Sequence, residues 1–278
     1  MEKRNKGKFI VILLIFAVIT AFSVVYYQQG AAADAKQRTD KELSDIANEQ
    51  AKTLQVRLQG QYILLETFAT VLTGEGEMDP VRVQNGMDAI VENSLFLHIA
   101  VLDGTGNGRL NTGEEIFVGD RSYFQEAMAG KNIIERIEQD KLNNKVRFIQ
   151  AVPLMQGGVP VGVVFGSYEE ELIKELLDSE AFSDQAATYL CDSQGEIVVG
   201  SDSDVYLYRE GMPLAGETNV LRGYGRERSK EEVEGFAKNL REGDAGIFTV
   251  SVEDYDRNVV YAPTGINDWF IINGVPSE

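Results

Sequence analysis

The sequence predicts an α+β protein in which an N-terminal membrane-spanning helix leads into a long second helix and then into two successive antiparallel-sheet modules. Three observations carry this prediction. Residues Ala31 to about Leu72 are polar and helix-favouring, with no Pro and with Gly60 as their only glycine. After Asn93 the texture changes to short β-rich runs with turn punctuation. Those runs then recur in the same order, with Asp103 and Asp192 in register.

The first eight residues carry Lys3, Arg4, Lys6 and Lys8 against Glu2, and form a basic tip over 1–8. Phe9 to Tyr27 follows as FIVILLIFAVITAFSVVYY, without charge, Gly or Pro, a length that matches the hydrocarbon core of about 30 Å. A transmembrane helix over 9–27 is expected, with Tyr26 and Tyr27 at the interface. The basic tip stays cytoplasmic by the positive-inside rule, which places the remaining, acidic bulk outside the cell membrane. Ala31-Ala32-Ala33 would suit cleavage of a signal peptide, but the apolar run exceeds the usual core of about 7–15 residues and favours a retained anchor.

In the second helix, expected over 31–73, Leu43, Ile46, Ala47, Leu54, Leu58, Leu65, Ala69 and Leu72 recur at helical spacing and mark one apolar stripe. The stripe suits a stalk that packs along a domain and admits a homodimer; a helix that covers only its own domain accounts for it equally well. Gly74-Glu75-Gly76 ends this helix. Asp79 then caps a shorter one, with Pro80 in its first turn, running to about Asn93.

The first module, membrane-distal and expected over 79–182, begins with a strand at Phe96–Leu102. A turn at Asp103–Gly108 and a return strand from Arg109 follow. A helix over Arg121–Gly130 precedes a hairpin of Lys145–Pro153 and Val159–Tyr168, joined through Gly157-Gly158. The order is that of a PAS-like module. The second, membrane-proximal and expected over 183–275, repeats it. Thr188–Ile197 echoes the first hairpin, Ser229–Leu240 supplies a helix, and Gly246–Val252, Val259–Pro263 and Trp269–Asn273 supply closing strands.

Composition excludes several classes of function. With 26 Lys+Arg against 44 Asp+Glu and a net charge of −18, the chain's field would repel nucleic acid. Its single Cys and single His rule out multi-Cys zinc sites and the common Ser-His or Cys-His catalytic arrangements. Cys191, on an apolar strand, reads as a small buried filler. Lys230–Glu234 is an exposed helix face, and Leu221–Arg228 a solvated basic loop. There is no phosphate loop, HExxH or GxSxG motif, so neither a cofactor nor an enzymatic activity is expected of these residues. Asp103, Thr105, Asn107, Gly108 and Glu114 fall on positions of an EF-hand-like calcium loop. The segment before them reads as strand rather than helix, and Asp192-Ser-Gln-Gly195 repeats the turn without the ligands, so a polar β-turn is the favoured reading.

The combination of basic tip, anchor, long helix and two PAS-like modules resembles the double Cache sensor domains of bacterial transmembrane receptors. Phe117–Lys131, with its Arg-x-Tyr-Phe and closing Gly-Lys, looks like that family's most recognisable segment, and Tyr261–Ile271 is similar to its last strand pair. The resemblance implies that the distal module binds a small extracellular molecule, often an amino acid or carboxylate. It implies Arg121 as the carboxylate anchor, with Tyr123 and Phe124 beside it, Asp140 on the first acidic position, and Ser167 where a second acid is usual. Arg offers a planar donor fork and Tyr a hydroxyl on a flat wall, which is suitable chemistry. The competing reading pairs Arg121 with Asp120 or a nearby Glu and puts Tyr123 and Phe124 in the core.

Glu138 stands where the family has an aromatic, and Tyr123 replaces its commoner Trp. A dicarboxylate or another small organic acid is therefore at least as well matched as an amino acid. The chain stops at Val275-Pro-Ser-Glu278 without a second span, and is read as the sensory part of a longer receptor. Its closing segment slightly favours a diguanylate cyclase output over a histidine kinase or chemotaxis transducer. The alternative is an anchored or secreted solute-binding protein.

Overall fold

Alternating burial along the strands and a continuous apolar stripe on one long helix organise the fold. The computed structural model describes residues 2–74, 79–141, 144–177, 187–200, 218–224, 230–252 and 255–276. The chain divides into two units, 1–46 and 47–278. Helix α1 runs Glu2–Gly74, one helix over both expected spans, 9–27 and 31–73. Most side chains of the apolar stretch 9–27, and those of the basic tip, lie outside the described residues. Among the described residues no helix is long and apolar enough to cross a membrane. In the first unit, Lys36 pairs with Asp40 one turn later at 3.5 Å.

Within the second unit, Ala47, Ala51, Leu54, Leu58, Leu65, Ala69 and Leu72 of α1 are buried, while Val56, Ile63 and Val71 face solvent. The later part of the stripe therefore covers its own domain. Helix α2 (Pro80–Asn93) starts where Asp79 caps the Val81 N–H at 3.0 Å. It crosses α1 at Gly86, where a Cβ would lie 2.5 Å from the Phe68 ring, so only glycine permits the approach.

The first sheet contains β1 (His98–Asp103), β2 (Asn107–Leu110), β3 (Glu115–Phe117), β4 (Ile133–Ile137), β5 (Arg147–Gln156) and β6 (Val159–Glu169). Its order is β3-β2-β1-β6-β5-β4, antiparallel throughout. Helix α3 (Ser122–Met128) lies between β3 and β4 in sequence. Period-two alternation divides the faces. Val163, Phe165, Ile149 and Ala151 share a core with Tyr123, Phe124 and Ala127 of α3. On the other face Gln150 donates to the Leu58 carbonyl of α1 at 3.0 Å. Tyr168 there stacks between Phe96 and Phe148 at 5.7 and 6.1 Å.

Helix α4 (Glu170–Leu177) leads to the second sheet, formed by β7 (Ala187–Cys191), β8 (Ile197–Gly200), β9 (Gly246–Val252), β10 (Tyr255–Pro263) and β11 (Phe270–Pro276). Its order, β8-β7-β11-β10-β9, is that of the first sheet without β3. Helices α5 (Val220–Tyr224) and α6 (Lys230–Glu242) cover the face equivalent to the one α3 covers. There Tyr224, Phe236, Phe248 and Tyr261 pack ring on ring at 4.8–6.4 Å.

The two modules meet directly and through α1. Phe148 meets the Trp269 ring edge-on at 6.0 Å, and Asn267 donates to the Ile134 carbonyl of edge strand β4 at 3.0 Å. On the α1 side of the second sheet, Thr188 donates to Asn273 at 2.7 Å, Asn273 to Gln50 at 3.0 Å, and Gln50 to the Leu177 carbonyl at 2.6 Å. All three side chains are buried, so this chain of bonds satisfies groups that would otherwise be costly inside.

Candidate ligand cavity

A cavity lies between the α3-side face of the first sheet and two loops, one before α3 and one between β4 and β5. Leu110, Ile149 and Phe165 give it apolar walls. Its polar lining is Arg121, Tyr123, Asp140, Lys141 and Ser167. Four of the five expected site residues thus line one space; Phe124 does not. Tyr123 and Phe124 are consecutive on α3, about 100° apart, so one faces the cavity while the other packs in the core beneath the helix.

Arg121 is the N-cap residue of α3, with extended backbone, and its side chain lines the cavity. Its Nη2 donates to the Gln139 carbonyl at 3.0 Å. Asp120 instead takes Lys141, at 2.5 Å from Nζ, and Lys141 also donates to the Phe117 carbonyl at 2.9 Å. In place of the Arg121–Asp120 pair of the competing reading, Arg121 and Lys141 make two links between the loops. The Lys141 ammonium holds the Asp120 carboxyl below the usual range.

Tyr123 meets Phe165 edge-on at 5.7 Å, and its burial raises the hydroxyl's pKa, which keeps it a neutral hydrogen-bonding group. Ser167 is buried on β6 opposite Ile149. Asp140 sits 3.6 Å from Nε of Arg147, whose side chain is only 3% exposed. The same guanidinium donates to Glu169 at 2.7 Å and lowers that carboxyl's pKa.

The enclosed space is about 10 Å³, roughly that of one water molecule. A larger guest needs the two loops to part, and the bonds of Arg121 and Lys141 are those that would break. A wider groove of about 1130 Å³ beside α2, β1 and β2 is open, and its walls are mainly apolar with scattered charges such as Asp103, Arg109 and Glu115. Convergent polar groups, which fix a small ligand's orientation, favour the small cavity instead.

The residues missed by sequence reasoning are Lys141 and Arg147. Arg147 had a signal: an Arg at the head of the apolar run Arg147–Leu154 must be paired if that strand is buried. Lys141 had none, because only the fold brings it to Asp120.

Other expected features resolve locally. Asp103 Oδ1 accepts from the N–H groups of Thr105 and Asn107 at 2.8 and 3.1 Å, in a turn that joins strands β1 and β2 rather than helices. Cys191 is fully buried, and burial pushes its thiol upward. The end of the basic loop, 225–228, lies outside the described residues.

No family model matches the chain. The methyl-accepting chemotaxis protein PctB of Pseudomonas aeruginosa is 23% identical over 192 residues, which cover 67% of this chain and 30% of that protein's length. The ligand-binding domain of PctB in complex with L-Arg superposes with a TM-score of 0.67 at 18% identity, covering 87% of this chain and 96% of that domain. That of the Pseudomonas fluorescens chemoreceptor CtaA in complex with L-leucine gives 0.67 at 17% identity, covering 88% and 97%. An extracellular domain assigned to a histidine kinase, rpHK1S-Z16, gives 0.65 at 18% identity, covering 88% and 96%. With two antiparallel sheets along one long helix, the chain has the double Cache fold, shared with these ligand-binding and extracellular domains.

Proposed function

We propose that this chain is the extracytoplasmic sensory region of a membrane-anchored receptor, and that its first module binds a small carboxylate-bearing molecule, an amino acid or organic acid. The observation that carries this reading is the convergence of Arg121, Tyr123, Asp140 and Ser167 on one cavity. Arg121 takes the ligand carboxylate in place of the Gln139 carbonyl, Tyr123 supplies a wall and a hydroxyl, and Asp140 and Ser167 line the space beyond. Similar domains of PctB and CtaA were solved with L-Arg and L-leucine, which supports a small carboxylate-bearing ligand.

The apolar stretch 9–27 anchors the chain, with the modules outside the cell membrane. Parting of the two loops moves β4, whose Ile134 carbonyl is held by Asn267 of the second module, and gives the ligand a route to bias module packing. Relatives that include a chemotaxis transducer and a histidine kinase domain put these outputs on an equal footing with a cyclase.

A thermal-shift screen of the chain against amino acids and organic acids tests the reading. A ligand at 100 times its dissociation constant adds about 2.7 kcal/mol. The stabilising compound should carry a carboxylate and lose its effect in Arg121→Ala. A stabilising compound that acts equally on Arg121→Ala would refute it.

A further inference from the structure

The charges around the cavity suit a second acidic group on the ligand better than the ammonium of an α-amino acid. An ammonium group needs a carboxylate with acceptor capacity to give. Asp140 already faces the buried guanidinium of Arg147 at 3.6 Å, which offsets its charge from within the protein. On β6 the cavity offers the neutral hydroxyl of Ser167 rather than an acid. Two cations stand at the mouth, Arg121 and Lys141, each held by oxygens a ligand can imitate. Arg121 is held by the Gln139 carbonyl at 3.0 Å, and Lys141 by the Phe117 carbonyl at 2.9 Å and the Asp120 carboxylate at 2.5 Å. The Lys141 side chain is 29% exposed and that of Asp120 59%, so Asp120 has room to swing into solvent.

Building on the assignment of this cavity as the ligand site, we infer that Lys141 is a second anion anchor and that the site selects small dicarboxylates. Asp120 is an internal competitor, an acid on the protein's own loop that occupies the ammonium until a ligand carboxylate replaces it. One carboxylate of the ligand goes to the planar fork of Arg121 and the other to the point charge of Lys141. A monocarboxylate engages Arg121 alone and leaves the Lys141–Asp120 link closed.

Calorimetric titration of the 278-residue chain in detergent with succinate, glutarate, butyrate, L-alanine and L-leucine tests this, with unfolding curves confirming that each variant is folded. Succinate or glutarate should bind more tightly than butyrate. Lys141→Met should weaken the dicarboxylate about tenfold or more, Lys141→Arg should restore part of it, and Asp120→Asn should tighten it about threefold. An amino acid or butyrate that binds best, is lost in Arg121→Ala and ignores Lys141→Met would overturn the dicarboxylate assignment while leaving the cavity as the site. Dicarboxylate binding that ignores both Arg121→Ala and Lys141→Met would overturn the cavity as well. If neither dicarboxylate binds, the inference fails.

Discussion

Arg147 lies 3.6 Å from Asp140 and 2.7 Å from Glu169, so one buried guanidinium fastens the cavity loop to the end of β6. Removing it leaves Asp140, whose side chain is only 11% exposed, without this cation. Arg147→Met should destabilise the chain by about 3 kcal/mol in denaturant unfolding, the cost typical of breaking a buried pair from one side. A loss below about 0.5 kcal/mol would show that the loop does not depend on this contact.

The other contact of Arg147, with Glu169, sets a pH dependence. Arg147 lowers the Glu169 carboxyl in the folded chain, so the folded state favours the ionised form more than the unfolded state does. The resulting stabilisation is complete above the ordinary glutamate value of 4.5 and is lost as the pH falls through the lower folded value. Melting temperature measured from pH 6 down to about 3 should therefore fall, with a shallower slope in Arg147→Met. Parallel slopes would contradict the assignment.

Asn273 stands between Thr188 and Gln50, in the buried chain that ties the second sheet to α1. Asn273→Ala leaves both neighbours short of a partner and should cost about 1–3 kcal/mol. A double-mutant cycle with Gln50→Ala should return a coupling of at least about 0.5 kcal/mol, whereas strict additivity would mean that the bond contributes nothing.

Cys191 is fully buried on β7, and burial keeps its thiol protonated. Labelling with a thiol reagent at pH 8 should be slow in the native chain and immediate in denaturant. Rapid native labelling would place this strand at the surface instead.

Sequence made the frame legible wherever a local rule held. Asp79 and Pro80 fixed the start of α2 to the residue, since cap and first-turn preferences are short-range physics. The twin aspartates were equally clear. Asp192 accepts from Gln194 and Glu196 at 2.9 Å, as Asp103 does from Thr105 and Asn107, so similar turns open similar sheets. Strand β4 stayed hidden, because Glu135 and Arg136 interrupt its apolar pattern and its edge position leaves them half exposed. Strand β3 is three residues long, too short for any period to show. The cavity was legible only through motif resemblance. Lys141 meets Asp120 across 21 positions, and no local pattern records such a meeting.

The most direct measurement is a structure of the chain with the stabilising carboxylate bound. The account predicts ligand between Arg121 and Tyr123, its carboxylate about 3 Å from the guanidinium and the Gln139 carbonyl displaced. Ligand in the groove beside α2, or in the second module, with the Arg121–Gln139 bond intact, would contradict it.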